Sequence, residues 1–253
     1  MEWTGPGVVL STRKHGETDT ILEVMTAKHG RHLGLVRGGR SRKKQPLLQP
    51  GNELHLTWRA RLADHLGVFA AEAVNLRSGD VMSTAFALHA VQHVAALLRL
   101  LPERDAHPRL FSALSVVLDH LDRFDIAGPL LVRFELLLLN ELGFGLDLET
   151  CAATGRTDDL AYVSPKSGRA VNRDAGQPYH DRLLPLPGFL VEGQRQPGSE
   201  ISYEDVKSGL ALTGFFLDRD IQSPAMTGIA DVRERVLNAL EREYRANYPW
   251  SFG

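Results

Sequence analysis

The spacing of apolar residues in this chain changes near Gly79 from a period of about two to a period of about 3.6, so a β part must come first and a helical part second. Upstream of that point the apolar segments are short: Val8 to Leu10, Ile21 to Met25, Leu33 to Val36, Leu54 to Trp58 and Leu66 to Val74. Glycine-bearing or polar stretches separate them, and five such strands fit a small OB-type barrel. In the fourth segment Leu54, Leu56 and Trp58 alternate with Glu53, His55, Thr57 and Arg59, which sends the first set inward and Arg59 outward. The same parity assigns Trp58 to the core rather than to a stacking platform for bases.

Downstream, Met82, Phe86, Ala90, Val94 and Leu97 mark a first helix that ends near Pro102. Leu110, Leu114, Val117, Leu118 and Leu121 mark a second, preceded by Pro108, and a third follows Pro129 through Leu130, Phe134, Leu137, Leu138 and Leu142 to a stop at Gly143. These three are expected to pack as one bundle. Residues 145–200 break the pattern with Gly, Pro, Asp and Ser, after which Tyr203 to Leu217 and Ile229 to Tyr244 read as two further helices. The expected fold is α+β in two domains: a β-barrel over residues 1–77, then a mainly α-helical domain over 78–253 with an irregular insert at about 145–200.

Charge is divided in the same way. The net charge is -2, yet residues 1–75 hold 11 lysines and arginines against 7 acidic residues, about +4, which leaves about -6 for the rest. Five of the eight residues from Arg37 to Lys44, RGGRSRKK, are cationic, and they lie between two strand-like segments. Arg37, Arg40, Arg42, Lys43 and Lys44 can neutralise phosphates without reading base sequence, while Gly38 and Gly39 let the backbone turn closely against a ligand. The alternative is a solvated charge run, but placement on the barrel that carries the positive surplus favours nucleic-acid binding. Arg13, Lys14, Arg31, Arg59 and Arg61 are candidates to extend the patch. Cys151 is the only cysteine, which excludes an intramolecular disulfide. The opening MEWTGPG has no basic or apolar leader character, and no apolar run approaches the ~18 residues of a membrane span, so a cytoplasmic protein is expected.

Three stretches resemble the RecO family of DNA repair and recombination mediators: GVVLSTRKHGETDTILEVMTAKHGRHLGLVRGGRSRKK, LLQPGNELHLTWRAR and VRFELLLLNELGFGLDLETCAATG. The resemblance runs through essentially the whole chain. It implies an N-terminal OB-fold, binding to single- and double-stranded DNA, annealing of complementary strands, and no enzymatic activity. It also implies partnership with RecR and with the acidic C-terminal tail of single-stranded DNA-binding protein, in loading RecA. Arg133, beside core-like Phe134, and Arg123 are candidates to receive that tail; Arg133 equally suits an ion pair with Glu135 or Glu141.

RecO-like sequences often carry a zinc site of two CxxC pairs in the irregular region, and here the corresponding places read CAAT at Cys151 to Thr154 and NRDA at Asn172 to Ala175. One sulfur of four remains, so no metal site and no cofactor are expected. His89 and His93 are four apart, but Ala90 stands where a zinc-protease helix needs glutamate. No GxxxxGK[ST] phosphate loop is present. Two competing functions keep specific features: an OB-type RNA-binding module shares the basic loop, and a metal-dependent nuclease would use Asp119, Asp122 and Asp125.

Overall fold

The computed structural model describes residues 1–62, 64–194 and 200–248. Residues 195–199 of the irregular insert lie outside them. The chain divides into two compact units, Met1–Asp122 with Asp231–Val236, and Arg123–Ala230 with Leu237–Gly253.

In the first unit β1 (Glu2–His15), β2 (Asp19–Thr26), β3 (Gly30–Val36), β4 (Glu53–Arg59) and β5 (Val68–Asn75) close into a barrel of order β1-β2-β3-β5-β4. β1 is far longer than its apolar centre because its halves serve different neighbours. Glu2 to Val8 pair antiparallel with Glu53 to Arg59, Val8 to His15 pair antiparallel with Asp19 to Met25, and a bulge between Val9 and Ser11 turns the strand from one to the other. β3 meets β5 in parallel at Leu35 and Val68, which completes the closure. Leu54, Leu56 and Trp58 face inward with Val9, Leu22, Val24, Val36 and Phe69, as the alternation in β4 requires, and Leu48 enters this core from the β3–β4 connection.

Three helices belong to the same unit: α1 (Ser78–Val81), α2 (Ala85–Leu98) and α3 (Pro108–Leu118). Thr84 caps α2 by accepting from the Ala87 amide at 3.0 Å, and Pro108 opens α3. The three predicted helices are divided between the units: α2 packs on β1 and α3 on β2 in the first, while the third predicted helix belongs to the second. Buried charge ties the end of α3 to the barrel. The Arg77 guanidinium, 6% exposed, holds Asp119 at the end of α3 at 2.6 Å and Glu53 of β4 at 3.5 Å. Such pairs carry no periodicity that hydrophobic spacing would reveal.

In the second unit α4 (Phe124–Glu141) starts before Pro129 rather than after it. Pro129 removes one helical donor from the Asp125 carbonyl, but Phe124 packs edge-on against Tyr244 at 5.0 Å and holds the first turn in place. α6 (Tyr203–Asp220) begins with a reciprocal capping box between Ser202 and Asp205, packs along α4, and is followed by α7 (Ala225–Asn247). Glu135 of α4 and Thr213 of α6 are hydrogen bonded in the buried interior between those helices. The irregular insert contains a small sheet of order β7-β6-β8, formed by β6 (Leu160–Val163), β7 (Ala170–Asn172) and β8 (Leu184–Pro185), and the short α5 (Arg173–Gly176). Among the described residues no helix is long and apolar enough to cross a membrane.

Candidate nucleic-acid interface

Residues 37–51 leave β3 and return to β4 as a chain of tight turns. Gly38 takes φ +61°, and its amide donates to the Asp19 carboxylate at 2.8 Å, a bond that lowers the pKa of that carboxyl. Gly39 serves a different end from the one expected of it. A Cβ there would lie 2.7 Å from the Thr20 Cβ, so the missing side chain is filled by the protein's own β2 rather than kept open for a ligand. The Ser41 amide closes a turn onto the Gly38 carbonyl at 3.1 Å, and the Lys44 and Gln45 amides donate back to the Ser41 carbonyl at 3.0 Å. Asn52, fully buried, anchors the far end by donating to the Pro46 and Leu47 carbonyls at 2.8 and 3.0 Å. With Leu48 in the core, the loop is fastened at both ends and its cations stand on a fixed base.

Arg37, Arg40, Arg42, Lys43 and Lys44 are all exposed. Two of them are also structural: Arg40 donates to the Glu17 carbonyl at 2.6 Å, and Lys44 to the Arg37 carbonyl at 2.7 Å. Arg37, Arg42 and Lys43 make no side-chain hydrogen bond or ion pair among the described residues. Lys14, on the last turn of β1, joins Arg40 in lining a groove of about 470 Å³ floored by Thr12, Thr20, Gly39, Gln45 and Leu48. Arg13 is exposed one residue earlier, and Arg61 is exposed on the β4–β5 connection.

Two of the expected patch residues have other duties. Arg31, 16% exposed, binds Glu23 at 3.1 Å and the Leu101 carbonyl at 3.4 Å, so its charge is spent inside the unit. Arg59 points outward as its parity demands, but it pairs with Glu2 at 2.8 Å across the β1–β4 register.

In the second unit Arg133 is exposed on α4 and pairs with neither Glu135 nor Glu141; it donates to the Phe189 carbonyl at 2.7 Å. Arg123 is held by Asp125 at 2.9 Å. Asp119 is committed to Arg77, and among the described residues no group of three or more His, Cys, Asp or Glu side chains could hold a metal ion. His93 is buried and His89 is not.

The four positions of the incomplete zinc motif do meet. The Cys151 sulfur, 1% exposed, accepts the Asn172 amide at 3.2 Å, and the Asn172 side-chain oxygen lies 3.6 Å from that sulfur and accepts the Ala175 amide at 3.1 Å. Burial opposes ionisation of this thiol, but donors from Thr154, Asn172 and Ala153 outweigh it and bring the pKa to about 7. One sulfur, an amide, a hydroxyl and a methyl do not fit tetrahedral zinc. Hydrogen bonds link Cys151, Asn172 and Ala175 to one another there.

A closed five-stranded barrel with an exposed cationic loop, followed by helices, defines an α+β protein with an N-terminal OB-fold. Residues 1–77 match the family model for the N-terminal part of recombination protein O, and residues 82–227 match the model for its C-terminal part. A DNA repair protein RecO of Mesorhizobium japonicum is 57% identical over 96% of this chain and 95% of its own length. Those of Methylorubrum extorquens and Chelativorans are 55% and 53% identical, over 93% and 96% of this chain and 96% of each relative. The chain belongs to the RecO family.

Proposed function

We propose that this protein is a recombination mediator in DNA repair, working in the cytoplasm without catalysis. The single observation that carries the reading is the set Arg37, Arg42 and Lys43, exposed on a loop pinned at both ends, with no side-chain hydrogen bond or salt bridge among the described residues. Fixed, unpaired cations bind phosphates without first breaking an internal pair, and Lys14 and Arg13 extend them along the strand edge. Arg40 and Lys44 support the loop as well as adding charge. In this reading residues 1–77 hold single- or double-stranded DNA, and annealing follows because neutralised strands repel one another less. Residues 78–253 receive partners: RecR, and the acidic tail of single-stranded DNA-binding protein near Arg133, so that RecA is loaded onto coated DNA. Arg123, paired with Asp125, contributes less.

The test is fluorescence anisotropy on a single-stranded DNA oligomer across a salt series, with wild type and an Arg37→Ser, Arg42→Ser, Lys43→Ser variant. At about 0.7 per phosphate contact, the variant loses about 2 from the log-log salt slope while keeping its fold by circular dichroism. An unchanged slope removes the loop from the interface. Tighter binding to an RNA of the same sequence identifies an RNA-binding module instead.

A further inference from the structure

At another part of the barrel surface Met1, Glu2, Trp3, His29, His32, Trp58 and Arg104 line a cavity of about 390 Å³, within the roughly 300–1,000 Å³ range of ligand pockets. Nothing in the basic loop borders it. Trp58 is buried beneath it, 3% exposed, with its indole N–H donating to the Leu66 carbonyl at 3.0 Å. Trp3, in contrast, is half-buried and stacks on half-buried His29 at 4.3 Å with an interplanar angle of 19°. The two rings lie face to face and both line the cavity, so the outer face of this stack serves as the aromatic platform.

The polar groups around the platform are held at some cost. Arg104 takes φ +67°, a left-handed conformation uncommon outside glycine, and such backbone persists only where its surroundings enforce it. Its amide donates to the Arg31 carbonyl at 2.8 Å and its guanidinium to the His65 carbonyl at 2.9 Å, with the Glu103 carboxylate 3.4 Å from Nε, which sets the cation 5.7 Å from the Trp58 ring centre. Gly30 completes the arrangement, because any Cβ there would lie 1.7 Å from the Asp105 carbonyl oxygen. His32 is 3% exposed, and its Nδ1 lies 2.9 Å from the Leu33 carbonyl, so the neutral ring donates there and leaves Nε2 as an acceptor. Burial keeps it neutral, with a pKa of about 4.

We propose that this cavity receives one unstacked base of single-stranded DNA, laid on the Trp3–His29 platform, with Arg104 beside it to meet the flanking phosphate and His32 Nε2 to accept from the base. A planar aromatic surface, one cation and one acceptor match the face, phosphate and edge of a nucleotide, and stacking of this kind tolerates any base. The inference rests on the DNA-binding reading above and adds to it a contact that duplex DNA, whose bases stay stacked, does not make.

The experiment compares the full chain on labelled oligo(dT) and on an oligomer of equal length built of abasic sites, at one salt concentration, in wild type and Trp3→Leu. Wild type is expected to bind oligo(dT) the more tightly by roughly five- to hundredfold, and Trp3→Leu to lower that affinity toward the abasic value while binding the abasic oligomer as wild type does. Should Trp3→Leu not fold, His29→Ala, which removes the other ring of the stack, takes its place in the same comparison. Equal wild-type affinity for both oligomers overturns the pocket and leaves the electrostatic reading standing. A preference for oligo(dT) that the variant retains also overturns it, and failure to bind either oligomer removes both readings.

Discussion

Glu23 of β2 and Arg99 at the end of α2 are joined by three charge-assisted hydrogen bonds, Nη2 to Oε2 at 2.7 Å and Nε to Oε2 and Oε1 at 3.0 and 3.2 Å, with Arg31 and Ser11 completing the shell at 3.1 and 2.6 Å. The carboxylate is almost wholly buried, and its pKa is lowered because these partners together outweigh desolvation. Glu23→Ala leaves Arg31 without its counter-charge inside the unit and is expected to cost about 3 kcal/mol, read by urea denaturation. Arg99→Ala is expected to cost less, because Arg31 and Ser11 still satisfy the carboxylate.

His32 makes stability depend on pH. Its folded pKa of about 4 lies below the ordinary 6.5, so between those values the unfolded chain binds the extra proton. Stability is therefore full above pH 6.5 and falls as pH drops toward 4. Arg104, Glu103 and His29 face the ring, and burial is the largest cause of the shift. Denaturation midpoints between pH 7.5 and 5 are expected to decline in wild type and to flatten in His32→Gln; an equal decline in both places the effect elsewhere.

Gly30→Ala sets a methyl against the Asp105 carbonyl at a φ of +57°. Backbone, not a flexible side chain, is the obstacle, so a loss of at least about 2 kcal/mol is expected. Gly38→Ala, with a similar φ of +61° but open space around it, is expected to cost about 1 kcal/mol and serves as the control.

Hydrogen bonds hold the Cys151 turn, and its donor set does not fit tetrahedral zinc, so incubation with a strong chelator is expected to leave the thermal midpoint unchanged. Cys151→Ala deprives the buried Asn172 amide of its acceptor, with an expected loss of about 1–3 kcal/mol. A midpoint that drops on chelation contradicts this account.

What could be read from the sequence follows what hydrophobic spacing can report. The inward face of β4, the strand-to-helix change and the basic loop were all visible because each is a local pattern. The outer half of β1 was not, since Glu2 to Pro6 have no alternating apolar set and become strand only by pairing with β4. The start of α4 was misplaced because Pro129 reads as a beginning, whereas the contact of Phe124 with Tyr244 is invisible locally. Arg31 shows the limit of counting charges: it stands beside the basic segment in sequence, yet β2 supplies Glu23 to consume it. Trp3 and Arg104 lie about a hundred residues apart, and they meet at one cavity only because the connection between α2 and α3 bridges to Arg31 of β3.

The division of labour within β1 also orders the events of folding. Val8 to His15 can zip onto Asp19 to Met25 as soon as a short hairpin has emerged, because the partners are nearly adjacent in the chain. Glu2 to Val8 must wait for Glu53 to Arg59, a loop closure of some fifty residues whose entropy is repaid only when the strands meet. During synthesis the first residues of the chain are thus an unpaired strand edge until β4 itself has left the ribosome.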